Sequence, residues 1–174
     1  MMTMTPRLRK VALTAHITSS VGWLGAVACF LALAVVGMSS HDPATIRGAY
    51  LVMEPAAWFV LITLAFAPLL TGMIQSLGTT WGVVRHYWVL FKLLITVVAT
   101  LVLVVYMETF RVMAGTAADP SAELGVVRNA SPTLHAALAL IVLLMATVLA
   151  VHKPRGLTKY GQRKQQRQSG QMHG

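Results

Sequence analysis

The sequence predicts an all-α integral membrane protein, a four-helix bundle that crosses the bilayer four times and leaves both termini cytoplasmic. Positions 11–38, 49–77, 88–107 and 133–151 are almost unbroken runs of Ala, Val, Leu, Ile, Met, Phe and Gly. Each is about 19 residues or longer, enough for a helix to cross a hydrocarbon core of about 30 Å. Lipid offers no partner for backbone N–H and C=O groups, which restricts spanning segments to helices and closed barrels, and these runs lack the alternation of barrel strands. The third observation is the placement of charge. Arg7, Arg9 and Lys10 precede the first run, Arg85 lies between the second and third, and Lys153, Arg155, Lys159, Arg163, Lys164 and Arg167 follow the fourth, while only Arg47, Arg111 and Arg128 fall in the other two loops. Lys and Arg mark the cytoplasmic side, and four crossings return the chain to the side on which it began.

Composition supports this layout. The 174 residues are 56% hydrophobic and only 11% charged, against about 25% charged in a soluble domain. The net charge of +9 is topological rather than a sign of nucleic-acid binding. One bundle fits residues 1–152, followed by a basic tail, 153–174, with no apolar period, which is expected to be disordered. The first run is too long for a signal-peptide core of about 7–15 residues and is read as a span. Cys29 is the lone cysteine, so it forms no intrachain disulfide and is expected to be a small buried apolar side chain.

Along the chain, a short basic lead enters span one, which runs outward to about Met38. In the first outer loop Ser40 or Asp42 can cap a helix and Pro43 suits its first turn. Span two returns with Pro55, Pro68 and Gly72 inside it. Each interior proline removes a helix hydrogen bond, so a kinked helix is expected, with Thr63 or Thr71 available to a freed carbonyl. Trp81, Arg85, His86, Tyr87 and Trp88 mark the inner interface and Tyr106 the outer one. Lys92, one turn inside span three, is expected to snorkel to the headgroups. The second outer loop, 108–132, is broken by Gly115, Asp119-Pro120, Gly125 and Pro132, and Val126-Val127 within it can dock on the bundle or lie on the membrane. Span four ends at His152-Lys153-Pro154, and the tail's cations suit anionic inner-leaflet lipid.

Intramembrane polar groups are the candidate sites, because lipid makes them costly. His16, Ser20 and Trp23 share one helical stripe beside a stripe of small residues, Ala15, Ser19, Gly22 and Ala26, which lets another helix approach. By depth His16 can pair with His86 or His152, and His135 with Glu54 or His41. Glu54 can equally pair with Arg47 or Arg111. Two imidazoles on facing helices, flanked by glycines and aromatics such as Trp23, can hold a b-type haem, and imidazole also suits copper or zinc. The cofactor candidates are therefore His16, His86, His152 and Trp23, and the metal candidates His16, His135 and Glu54. The bland alternative is a set of histidines hydrogen-bonded in the bundle or solvated at its interfaces. Gly-x-Ser-x-Gly, phosphate-loop and His-Glu-x-x-His patterns are absent, so soluble-enzyme chemistry has no support.

His16 followed by Gly22-Trp23-Leu24-Gly25 resembles the His…Trp-Leu-Gly pattern of copper-resistance-D-like membrane proteins. Leu77-Gly78-Thr79-Thr80-Trp81-Gly82 before Arg85-His86-Tyr87-Trp88-Val89-Leu90-Phe91-Lys92 makes residues 10–150 similar to a group of small bacterial four-span membrane proteins. The first likeness implies copper handling or haem ligation through His16, although no Met-x-x-Met cluster accompanies it. The sequence thus points to a small protein of the bacterial inner membrane that binds haem b or a redox metal, or to a cofactor-free scaffold acting with a membrane partner or a second copy. A solute channel is the weaker third reading, since the spans carry few polar residues.

Overall fold

The computed structural model describes residues 4–78, 86–152, 156–163 and 166. Trp81, Arg85, Lys153, Pro154, Arg155, Lys164 and Arg167 lie outside the described residues, as does most of the tail. Five α-helices form in chain order: α1 Pro6–Ser39, α2 Pro43–Ala56, α3 Thr63–Gly78, α4 Tyr87–Ala118 and α5 Ser131–His152, with a π-helical stretch, Ala57–Ile62, joining α2 to α3. Four helical runs, Pro6–Ser39, Pro43–Leu77, Tyr87–Ala118 and Ser131–His152, are long and apolar enough to cross a membrane.

Local chemistry sets most of the ends. Asp42 caps α2, accepting hydrogen bonds from the backbone N–H groups of Ala44 (3.4 Å) and Thr45 (2.9 Å), with Pro43 in the first turn. The π-helical stretch begins two residues after Pro55. Proline lacks the N–H of the normal ladder and crowds the carbonyl four residues back, and a wider turn accommodates both. Thr71 donates to the carbonyl of Ala67 at 2.7 Å, not to Leu64, whose carbonyl Pro68 leaves free. Helix α4 continues well past the apolar run that ends at 107. Met107, Phe110, Met113, Ala114 and Ala117 are buried at helical spacing, and Glu108 pairs with Arg111 on the exposed face, so the added turns are amphipathic rather than lipid-like.

The helices pack in a ring. α1 touches the second run and α5, and α4 touches the same two. α1 and α4 therefore lie on a diagonal, joined by side chains alone, among them Phe30 and Phe110 with ring centroids 5.5 Å apart. The core line on α1 is Ser19, Trp23, Val27, Phe30, Ala34 and Gly37, which runs between the two stripes read from sequence. Cys29 is exposed on the outer face, a correction to its expected burial. Its place on α1, two positions beyond buried Val27, turns it away from the core.

Contacts define two ends. At one end Gln75 Nε2 donates to the Ala12 carbonyl at 2.8 Å, and His86 forms an antiparallel bridge with Leu157, so both terminal segments meet there. The described part of the tail thus includes a bridge, the buried Thr158 and a turn of helix. At the other, loop end, two arginines close helix C-termini. Arg128 donates to the Met38 carbonyl from Nε (3.3 Å) and Nη2 (3.2 Å). Arg47 donates to the carbonyls of Ala117 (2.9 Å), Asp119, Pro120 and Ala122. Helix C-terminal carbonyls lack intrahelical donors and carry partial negative charge, so a guanidinium satisfies both needs. Arg47 and Val127, which is 2% exposed, pin the 119–130 loop to the bundle.

The tightest contact is at Gly37. A Cβ there would lie 2.9 Å from Tyr50 Cζ. Tyr50 is 1% exposed and its hydroxyl has no hydrogen-bond partner among the described residues. Overpacking of this kind costs about 1–3 kcal/mol, so Gly37→Ala should lower the melting temperature of detergent-solubilised protein. Tyr50→Phe removes an unsatisfied polar atom and should leave stability unchanged or raise it by about 1 kcal/mol. A Tyr50→Phe protein melting far below wild type would mean that the hydroxyl is satisfied.

Asp42 supplies a pH prediction. The Thr45 hydroxyl, then the Thr45 and Ala44 amides, hold its carboxyl below the usual carboxylate range. A lowered folded value means the stabilisation is complete above the unfolded value, about pH 4, and is lost as pH falls through the folded one. Amide exchange in the first turn of α2 should therefore accelerate in acid, and Asp42→Asn, which still caps, should abolish that acid step.

Candidate functional site

The polar residues within the apolar helices converge near the end where the terminal segments meet. His16 is the eleventh residue of α1 and so about 15 Å along it. Its ring lies against α3, where Gly72 makes room: a Cβ there would stand 3.2 Å from His16 Cε1. His16 Nδ1 is 3.1 Å from Thr71 Oγ1. His16 Nε2 is 3.2 Å from Lys92 Nζ, reaching from α4 across the diagonal. Lys92 does not snorkel outward as its sequence position suggested. The imidazole acceptor inside the bundle lies within reach of its four-carbon stem.

With Lys92 as an ammonium, hydrogen-bond bookkeeping assigns the proton positions. An ammonium has three donors and no acceptor, so Lys92 donates to Nε2. His16 then carries its one ring proton on Nδ1 and donates to Thr71, and Thr71 passes its own proton to the Ala67 carbonyl. A doubly protonated imidazole would set an N–H against the ammonium and is excluded by this arrangement. The chain Lys92–His16–Thr71–Ala67 links three helices. On α4 the hydroxyls of Thr96 and Thr100 are spent on their own helix, donating to the carbonyls of Lys92 (2.8 Å) and Thr96 (2.9 Å). Ser19 likewise donates to the His16 carbonyl at 3.1 Å.

The other sequence candidates sit elsewhere. Trp23 is 3% exposed within the apolar core. The His86 ring lies 6.4 Å from that of Trp88. His152 is exposed, with Nδ1 donating to the Val148 carbonyl of its own helix at 3.1 Å. At the loop end the His135 ring packs on Tyr106 with centroids 4.2 Å apart, and its Nδ1 donates to the Ser131 carbonyl at 2.8 Å. Tyr106 and Ser131 share a hydroxyl hydrogen bond of 2.9 Å. His41 Nδ1 lies 3.1 Å from the Ser39 carbonyl. Glu54 lies within electrostatic range of Arg111, and Arg47 is committed to carbonyls. Among the described residues no group of three or more His, Cys, Asp or Glu side chains is placed to hold a metal ion.

Sequence reasoning singled out His16 but missed its partners, Lys92, Thr71 and Gly72. The signal was available. Lys92, like His16, lies a short way inside the same end of its apolar run, and the matching-depth argument applied to the histidines brings the two level. Compared with known proteins, the chain matches no family model, no curated protein and no solved structure.

Proposed function

We propose that this chain is a small multi-pass protein of the bacterial inner membrane, with cytoplasmic termini, whose working centre is the His16–Lys92 pair. One observation carries the reading: the two side chains meet at 3.2 Å, partly buried between apolar helices, where an unneeded polar pair would be a net cost. The cofactor form of this reading is a b-type haem or redox metal with His16 as a ligand, serving electron transfer or a copper-handling partner. Both His16 nitrogens are hydrogen-bonded, so ligation would require Nε2 to exchange Lys92 for the metal, and the group facing it is Lys92 rather than His86 or His152. Purified protein is expected to show a reduced-minus-oxidised Soret difference that disappears in His16→Ala at equal protein level. A colourless, metal-free wild type would remove the haem and redox-metal form.

A second reading, a cofactor-free scaffold or assembly subunit, is favoured by the outer face of α1. Val21, Gly25, Cys29 and Ala32 are exposed along it, and a Cβ on Gly25 would meet nothing within 4 Å. The other helices present bulky Phe59, Phe66, Phe91, Leu101 and Leu138 outward. Small faces let helices of separate chains approach in lipid. Cys29 being the single cysteine, mild oxidation of membranes should give one disulfide-linked dimer, lost in Gly25→Leu. An exclusively monomeric band from wild-type membranes would remove a self-associating scaffold.

A further inference from the structure

Among the described residues the proposed working centre has no counter-charge. The sequence has five acidic side chains, Asp42, Glu54, Glu108, Asp119 and Glu123, and all belong to the loop-end half of the bundle. Glu108, on the same helix as Lys92, is sixteen residues away, about 24 Å at 1.5 Å per residue. Glu54 lies in the field of Arg111, which is farther along α4 still. At the Lys92 end the described charged side chains are Arg7, Arg9, Lys10, Lys159 and Arg163, all cationic. The polar contact of the Lys92 ammonium is a neutral imidazole nitrogen, which supplies a lone pair but no negative charge. A partly buried ammonium is costly without an anionic partner, and its position in the first turns of α4, the positive end of that helix dipole, adds to the local positive potential.

The packing around this end is uneven. α2 leans mainly on α4 and α3 mainly on α1, so the second run crosses the bundle and diverges from α4 toward this end. The Lys92–His16 pair is partly buried between apolar helices, and Lys92 is the sixth residue of α4, about one and a half turns from its start. That combination suits a molecule with an apolar body and an anionic oxygen group.

Resting on the reading of His16–Lys92 as the working centre, we infer that Lys92 is the anion-recognising group of a site for an apolar molecule bearing a carboxylate or phosphate. The anion accepts from the Lys92 ammonium and neutralises it, while His16, held by Thr71, offers its Nε2 lone pair to the remaining ammonium proton. The same oxyanion chemistry could come from a membrane lipid or from the propionate of a prosthetic group.

The test uses full-length protein in a neutral detergent, titrated with oleate or dioleoyl phosphatidic acid and, as uncharged controls, oleyl alcohol and dioleoylglycerol, with melting temperature as the readout. Wild type should be stabilised saturably by the anionic probes and not by the controls. Lys92→Met should weaken the apparent affinity roughly 30-fold or more, the usual consequence of removing one partner of a desolvated charge pair, whereas Lys92→Arg should retain binding. Arg7→Gln/Arg9→Gln/Lys10→Gln should lose only the salt-sensitive component. Equal stabilisation by charged and uncharged probes, or unchanged affinity in Lys92→Met, would overturn the inference. Should Lys92→Met fail to fold, Lys92→Arg together with the charged-versus-uncharged comparison decides it. Absorbance of the same samples separates this from the haem reading: colourless protein with Lys92-dependent oleate binding upholds the anion site alone. Mass spectrometry of extracted protein identifies the source, a phospholipid or fatty acid in one case and a porphyrin in the other, and either molecule requires Lys92 for its retention.

Discussion

In a chain whose helices are apolar on every side, hydrophobicity cannot tell a helix which face to turn inward. Leu13, Ile17 and Val21 on α1 are exposed while Val27 and Phe30 are buried, and transfer energy separates the two sets poorly when the surroundings are themselves apolar. What distinguishes the faces is the handful of polar side chains that an apolar environment cannot satisfy. The diagonal contact of His16 with Lys92 and the approach of His16 to Thr71 set the rotation of α1, α3 and α4 at one end. Gln75 on the Ala12 carbonyl holds α3 to α1 in the same register. Apolar packing, the buried Trp23 and the Phe30–Phe110 edge contact, then fills the space these bonds define.

The loop end solves a different problem by similar means. α1 and α4 both finish there, each with unpaired carbonyls and the negative end of a helix dipole. Arg128 and Arg47 reach those carbonyls from other parts of the chain, so the cations close helices and fasten loops at once. Asp119 turns inward on its own segment, with the Ser121 hydroxyl and then the Ser121 amide holding its carboxyl below the usual range. The opposite end runs against dipole logic: α1 starts with Arg7, Arg9 and Lys10 and no acid in its first turn. That arrangement is unfavourable for an isolated helix.

Much of this architecture was legible in the sequence. Four apolar runs gave four long helices, Asp42-Pro43 gave a capped helix start, and Val127 docks as one of two alternatives required. The extension of α4 to Ala118 was missed because its last three turns are amphipathic, and a search for apolar runs stops where Glu108 and Arg111 begin. The site was half legible. His16 stood out as a costly group in lipid, but Lys92 was assigned to the headgroups on the assumption that a long cationic side chain always finds water first. That assumption fails where a neutral imidazole stands within reach and a neighbouring helix is glycine at the point of contact. No alternation or spacing rule encodes such a meeting across a diagonal, since it depends on three helices at once.

The second run ties these features together. The π-helical stretch, two residues after Pro55, interrupts regular α-helix between Met53, buried at the loop end, and Gly72, against His16. A straight helix would keep one neighbour along its whole length. This one touches α1 and α4 throughout, with α2 leaning more on α4 and α3 more on α1, and the π-helical stretch between them touches both. The prolines cost helix hydrogen bonds, and beyond the π-helical stretch Thr71 and Gly72 lie against His16 on α1. Lys92, 30 residues beyond the end of the π-helical stretch in sequence, thus meets His16 at a level where α3 leans mainly on α1.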